Sequence, residues 1–505
     1  MSTVDTASEQ RSGDLPMPPG LSDVRVRFAP NGEIAYAAFF TRTILYSWLF
    51  ARRYSGAFIL RFDDTDLDRQ IPGALQSYPR GMRWLGLDWD EGPEVGGDYG
   101  PYSQSGRLDL YRDAIERLLA EGKAYQCYCD RERLAELSAR SRQGRARAYD
   151  GRCRDLTAAR RRAARAAGIV PAVRLRVPDT GMIRSADLLR GEVGTPADEL
   201  SDFVICRPDG WPTYHLTVVV DDSLMRISHV IRGSEGLANI APQAVVHKAL
   251  GLPEPLYLHF PLVRIEDFRL GDRFLPSGQA LYIDDLRAAG WFPEAIVNYY
   301  AHLGYGYRGR TEIQSRDELV DAFDYRRISR KAVVEQSTQK LGWVNRQYLQ
   351  RHASRVDTVA VCTDAVVRAG LASPAQARPV VERSLDVIRV RMACADDAAA
   401  LLGFAFTPPD GPALPGGLTG VQTAALRTAL LDCAAAVADG TGLGPVLARA
   451  AERHGLDRGE AIRPVVGILA GGPSRLSPDD LAAVLGVEET RARLLRALRE
   501  VTAAP

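Results

Sequence analysis

Val24-Arg25-Val26-Arg27-Phe28 alternates apolar and charged side chains, the period of two that marks a half-buried strand. Turn residues follow at Ala29-Pro30-Asn31-Gly32, with Asn31 suited to cap a helix N-terminus. Residues 33–53 then place Ala37, Phe40, Ile44 and Trp48 on one face, which predicts a helix. A second strand is expected over 57–62, ending in the acidic cluster Asp63-Asp64-Thr65-Asp66. Strand, helix and strand within about 40 residues open a parallel α/β domain. Ligands of such sheets bind at the carboxyl ends of the strands, where Arg27 to Asn31 and Asp63 fall.

The pattern changes near Gly86-Leu87-Asp88-Trp89-Asp90, and an inserted segment runs to Arg207 with a cysteine cluster and an arginine-rich helical stretch. Buried strands are expected again over 213–220 and 226–232, so the first domain resumes there. From Thr311 the chain reads as helical, with turn breaks at Pro408-Pro409-Asp410-Gly411 and Gly471-Gly472-Pro473. No internal repeat is visible.

Composition narrows this picture. The 505 residues leave room for several domains, since single cores rarely grow past about 250–300 residues. An apolar share of 46% and a charged share of 25% suit a soluble globular protein, and no apolar run is long enough to span a membrane. Residues 1–23 lack the basic and apolar regions of a signal peptide and are expected to form a flexible tail. Seven unevenly spaced cysteines argue against a disulfide framework and for a reducing, cytoplasmic setting. A monomer without membrane contact is expected. The net charge of +1 gives no global attraction to nucleic acid, so any such binding must come from local patches. Lysine occurs only at 123, 248, 331 and 340, which leaves a catalytic lysine few places to be.

Several stretches, in order, are similar to the glutamyl-tRNA synthetases. They are Arg27-Phe28-Ala29-Pro30, Trp48-Leu49-Phe50-Ala51-Arg52, Asp63-Asp64-Thr65-Asp66 and the run from Trp84 to Pro93. Tyr102-Ser103-Gln104-Ser105-Gly106-Arg107, Tyr149-Asp150-Gly151-Arg152-Cys153-Arg154, Pro212-Thr213-Tyr214-His215, His229-Val230-Ile231-Arg232-Gly233 and Lys340-Leu341-Gly342-Trp343-Val344-Asn345 continue the series. The resemblance implies an α/β fold: a Rossmann-type class I synthetase catalytic domain with an inserted acceptor-arm domain, followed by an α-helical anticodon-binding region. Its implied divisions are a tail over 1–23, the catalytic domain over 24–85 and 208–310, and a zinc-type acceptor-arm insertion over 86–207. A helical stem-contact domain would cover 311–380 and the anticodon-binding domain 381–505.

Two signatures that this family uses for ATP are altered. The first begins a helix with His, an apolar residue, Gly and His or Gly; the glycines let the nucleotide approach, and the imidazole donates to phosphate. The aligned positions are Ala37-Ala38-Phe39-Phe40, and no histidine precedes His215. The second is a lysine-bearing loop. Here residues 264–279 contain no lysine, and Arg269 and Arg273, the available phosphate contacts, sit among Glu266, Asp267 and Asp272. Losing one such contact costs about 10²–10³ in rate. The chain is therefore expected to handle ATP and magnesium poorly, and no spacing among its aspartates specifies a magnesium site.

By resemblance, Arg27, Tyr214 and Arg232 would hold the glutamate carboxylates and Asp63 would meet the α-ammonium, with Asn31 in the turn beside them. The competing reading makes Arg27 and Arg232 structural ion pairs with Asp63, Asp64 or Glu235. Val218, Ser234 and Gly236 depart from the family's usual Asn, acid and His or Trp, which opens the pocket to an acidic analogue of glutamate. Cys127, Cys129, Tyr149 and Cys153 resemble a structural zinc site, with Asp155 as an alternative fourth ligand. The arginine run, with Arg140, Arg142, Arg145, Arg147, Arg160 and Arg161 at its centre, is either a solvated helix face or a tRNA phosphate surface.

Three functions follow. The protein binds tRNA and glutamate without conventional activation; or it is a repurposed enzyme that takes a glutamyl donor such as glutamyl-tRNA; or it is a working glutamate–tRNA ligase with unusual ATP contacts.

Overall fold

The computed structural model of the chain describes residues 23–142, 149–265, 268–270, 273–275, 281–306, 312–407 and 419–503. Two compact units divide it: residues 1–268, 275–284 and 296–337 form one, and residues 269–274, 285–295 and 338–505 the other.

In the first unit, six strands form a sheet in the spatial order Ala57–Leu60, Arg25–Phe28, His229–Gly233, Leu256–Phe260, Met182–Asp187 and Gly191–Pro196. Every neighbouring pair is parallel except the last. Met182–Asp187 and Gly191–Pro196, which come from the expected insertion, thus extend the main sheet. The chain leaves Arg25–Phe28 in one direction to pair with Ala57–Leu60, and His229–Gly233 later joins on the other side. That reversal is a topological switch point, and Arg27 and Arg232 lie on the two strands that flank it.

Two expectations are corrected here. The first helix begins at Phe40 and ends at Arg53, not at residue 33. Residues 31–39 form a turn instead: Asn31 Oδ1 accepts the Glu33 amide, Tyr36 N donates to Ser77 Oγ, and Ala38 N donates to Leu281 O. Asn31 is therefore not the helix cap. Residues 213–220 are not a strand but part of the helix Tyr214–Leu224. Leu216 to Asp222 are all buried, so no polar face betrays the helical period, and packing overrides the β preference of Val218, Val219 and Val220.

A separate antiparallel sheet joins Ala124–Cys127, Ala172–Leu175 and Val204–Cys206. Tyr111, Leu118, Leu175 and Ile205 pack beneath it with Leu216 and Val246. Val333–Gln336, inside the stretch expected to be helical, is a strand parallel to Leu262–Ile265.

The second unit is helical among its described residues beyond Thr338, apart from the connecting turns. Reciprocal caps start several of its helices, with Thr419 and Gln422, Asp457 and Glu460, and Ser477 and Asp480 each satisfying the other's backbone amide. Contrary to the expectation that no apolar run is long enough, Gly420–Ala438 could cross a membrane by length and composition alone. Its Leu426, Ala429, Leu430, Cys433 and Val437 are buried in the helical core.

Candidate functional site

A knot of charge sits at the switch point. Arg27 Nε lies 3.1 Å from Asp222 Oδ1 and Arg27 Nη2 lies 3.1 Å from Asp222 Oδ2. Arg61, 0% exposed, donates Nε to Asp63 Oδ1 at 2.7 Å and Nη1 to Asp222 Oδ1 at 2.6 Å. Asp221 takes Arg107 Nε at 2.6 Å, Gln104 Nε2 at 2.8 Å and the Tyr111 hydroxyl at 2.7 Å. Three buried guanidiniums therefore face three buried carboxylates, and no unpaired charge is left within the knot. Burial pushes Asp63 up to about 6, even with Arg61 alongside. Asp222 is buried too, but the charges of Arg27 and Arg61 hold its carboxyl below the usual range.

Neither arginine pairs with Asp63, Asp64 or Glu235 among the described residues; Arg27 is ion-paired to Asp222 instead. Arg232 has no acidic partner among the described residues. Its Nε donates to His259 Nε2 at 2.9 Å and its Nη2 to Gln243 Oε1 at 3.2 Å, and its Nη1 is buried without a partner. Since Arg232 can only donate, His259 Nε2 must accept, so the proton sits on Nδ1, which lies 2.7 Å from Asp187 Oδ2. Burial lowers the pKa of His259, against the pull of Asp187, which fits this neutral tautomer.

Gly236 matters here because a Cβ at that position would lie 2.6 Å from Arg232 Cδ; the arginine stem occupies space that any other side chain would fill. Tyr214, at the first turn of its helix, is 44% exposed. Val218 and Asp222 follow at intervals of four on the same face. His215 is half-buried, and that burial together with the positive charge of Arg232 lowers its pKa to about 4. Asn31 is exposed in its turn, and among the described residues its side chain hydrogen-bonds to the Glu33 amide alone.

Ala37 and Ala38 are buried, and residue 37 bridges to Tyr282. Phe39 and Phe40 stand half-buried with ring centroids 4.3 Å apart; Phe40 also meets Phe28 at 6.1 Å and Tyr78 at 6.0 Å. Arg264, at the start of the second signature, pairs with Glu335 at 3.0 Å. The side chains of Arg269 and Arg273 lie outside the described residues.

Cys127, Cys129 and Cys153 bring their sulfurs within 4.8 Å of one another. Cys129 and Cys153 are 3.6 Å apart, and the Tyr149 hydroxyl lies 3.4 Å from Cys127 Sγ and 3.8 Å from Cys129 Sγ. Tetrahedral zinc with bonds of about 2.3 Å to sulfur sets its thiolates about 3.8 Å apart, so the donor set fits. Asp155 is displaced from the cluster: it pairs with Arg176 at 3.0 Å, and its side chain is 86% exposed. Hydrogen bonds from Cys153 and, less strongly, Tyr149 hold the Cys127 thiol below its usual range against its burial.

The model of the family "tRNA synthetases class I (E and Q), catalytic domain" matches residues 23–343. This chain belongs to the glutamyl-tRNA synthetase family. A protein named glutamate–tRNA ligase from Moorella thermoacetica is 43% identical over 331 residues, which are 65% of this chain and 67% of that one. One of the same name from Anaeromyxobacter sp. (strain K) is 38% identical over 484 residues, covering 94% of this chain and 98% of that one. Among solved structures, a glutamate tRNA ligase from Elizabethkingia meningosepticum, in complex with its amino acid, aligns with a TM-score of 0.78 and 26% identity. That alignment covers 95% of this chain and all of that one. The fold is that of a class I aminoacyl-tRNA synthetase, a largely parallel sheet with a helical C-terminal region.

On this synthetase scaffold, Arg160, Arg161 and Arg162 are exposed on the helix Ala158–Ala166, with no acidic partner among the described residues. Arg165, also exposed, donates to the Tyr128 hydroxyl and to Gln126 Oε1. Arg154 holds Asp202 and Asp179, and Arg133 holds Asp150, so both are structural. Arg145 and Arg147 lie outside the described residues, as do the side chains of Arg140 and Arg142. Sequence reasoning missed Arg61, Asp222, Gln243, His259 and Asp187. The helical spacing of Tyr214, Val218 and Asp222 was the one available signal, and it was lost when that segment was taken for a strand.

Proposed function

We propose that this protein uses a glutamyl-tRNA synthetase scaffold to bind tRNA and glutamate, or a close acidic analogue, without conventional ATP-dependent activation. The observation that carries this reading is a contrast between two parts of one site. Arg232 is a half-buried cation with no acidic partner among the described residues, its Nη1 is buried and unpaired there, and a carboxylate is the group that would complete it. The ATP side instead carries Phe39 and Phe40, two rings where glycines would leave room for a nucleotide. Arg160, Arg161 and Arg162 supply free cations for tRNA phosphates. Cys127, Cys129, Cys153 and Tyr149 would hold one zinc, whose part is to tie the inserted module together. A second reading, an ordinary ligase, draws its support from the 38% identity along 94% of the chain.

ATP–pyrophosphate exchange with glutamate, run with and without tRNA, tests the proposal. The expected result is exchange at background together with a tRNA gel shift that weakens steeply with salt, as phosphate contacts require. Robust exchange would restore the ordinary ligase. Loss of any salt-sensitive tRNA complex would remove the tRNA half of the reading.

The Asp63 carboxyl gives this pocket a pH signature. Only its ionised form attracts an α-ammonium, so glutamate affinity should be highest at pH values well above 6 and fall as the pH drops through about 6. His215 titrates lower, near 4, and leaves this window clear. Calorimetry across pH 5–8 should show the decline in the natural protein. Asp63→Asn should bind weakly at every pH, and a natural protein with a flat profile would take Asp63 out of the pocket.

A further inference from the structure

We infer that Gln243 is a ligand-contacting residue that forms, with Arg232, a donor-only subsite for the carboxylate of the acidic ligand; this rests on the reading that the pocket takes such a ligand. Gln243 lies on the helix Ile240–Leu250 and is buried. Its Oε1 accepts Arg232 Nη2, which fixes the amide orientation, because a flipped amide would set two donors against each other. Beside the Arg232–Gln243 hydrogen bond, Arg232 Nη1 and Gln243 Nε2 are buried donors without acceptors among the described residues. Unsatisfied buried donors are costly, so each calls for an acceptor.

The frame behind the pair keeps its charge available. His259 accepts from Arg232 as a neutral imidazole, and Asp187 is kept one step away, engaged by the amides of Leu189, Arg190 and His259. The guanidinium thus has orientation without neutralisation, unlike that of Arg27, which Asp222 already engages. Gly236 lets the arginine lie in this position.

Both open atoms donate, and the only acceptor of the pair is already used. A carboxylate completes the subsite, whereas a carboxamide would turn its own N–H groups toward donors. Gln243 is therefore assigned to specificity for acid over amide.

The test is calorimetry with L-glutamate and L-glutamine on the natural protein, Gln243→Leu and Gln243→Glu. Gln243→Leu keeps the volume but removes the donor, and should weaken glutamate about 10- to 100-fold while changing glutamine little. Gln243→Glu keeps a partner for Arg232 but fills the subsite with its own carboxylate, and should abolish glutamate binding with the thermal midpoint intact. This second variant decides the matter if the leucine variant fails to fold. Glutamate binding with an unchanged preference over glutamine in either variant would overturn the assignment while leaving the proposed function standing. No heat from the natural protein with any acid would overturn the proposed function, and this inference with it.

Discussion

Replacing Arg61 with methionine should destabilise the protein by about 3–5 kcal/mol, the usual cost of removing one partner from a buried ion network. Methionine fills most of the volume but leaves Asp63 and Asp222 facing each other, with Asp221 close by: before the change, Arg61 Nε lies 2.7 Å from Asp63 and 3.8 Å from Asp221, and its Nη1 lies 2.6 Å from Asp222. Domains are typically stable by only about 5–15 kcal/mol, so the loss is a large fraction of the total. Its pH dependence has a definite sign. Asp63 already has a raised pKa in the folded state, and losing Arg61 raises it further. The folded variant then binds protons more tightly than the unfolded chain, so its deficit should shrink as the pH falls from 7 toward 5. Denaturant unfolding at the two pH values measures this. A deficit below about 1 kcal/mol at pH 7 would mean that water reaches the carboxylates after all.

Stripping metal from the Cys127 cluster should have a comparably large effect, confined to one module. Tyr125, Cys127, Leu137, Tyr149 and Cys153 form the small core there, with only a few half-buried apolar residues around it. A structural zinc contributes about 10–16 kcal/mol in isolated zinc-finger peptides, more than so small a core can replace. Elemental analysis should find about one zinc per chain, as a single closed site requires. Chelation or Cys153→Ala should open residues 128–171 to proteases while the helical unit stays protected. Tyr149→Phe should weaken metal retention and Asp155→Asn should not, because the carboxylate points to Arg176. A metal-free preparation with the same protease pattern would sink the zinc assignment.

Much of the architecture could be read from local pattern. The alternation of Val24 to Phe28 marked a strand that the structure contains at Arg25–Phe28, and the Cys127, Cys129, Tyr149 and Cys153 spacing marked atoms that do converge. What failed had a common physical cause. Residues 33–39 carry helix-like spacing, yet tertiary hydrogen bonds from Tyr36 and Ala38 hold them as a turn. Residues 216–222 are buried all round, so period could not separate helix from strand. Asp222 went unnoticed for the same reason, since only the helix aligns it with Tyr214. Gln243 and His259 carry no local signal; His259 meets Arg232 because strand pairing sets His229–Gly233 beside Leu256–Phe260, and Gln243 meets it from the helix Ile240–Leu250.

The charge knot also bears on how the chain can be made. Its arginines come from residues 27, 61 and 107, but two of its three carboxylates, Asp221 and Asp222, arrive 195 residues after the first of those arginines. A nascent chain emerging from the ribosome at about 5–20 residues per second therefore carries Arg27 without its knot partner for on the order of ten seconds or more, and Arg107 for somewhat less. During that interval the first strands cannot seal their carboxyl ends, and the half-made sheet is exposed to whatever chaperone or stray anion meets it. The same bonds that lock the finished pocket thus make the N-terminal half wait for the far side of the insertion before it can close.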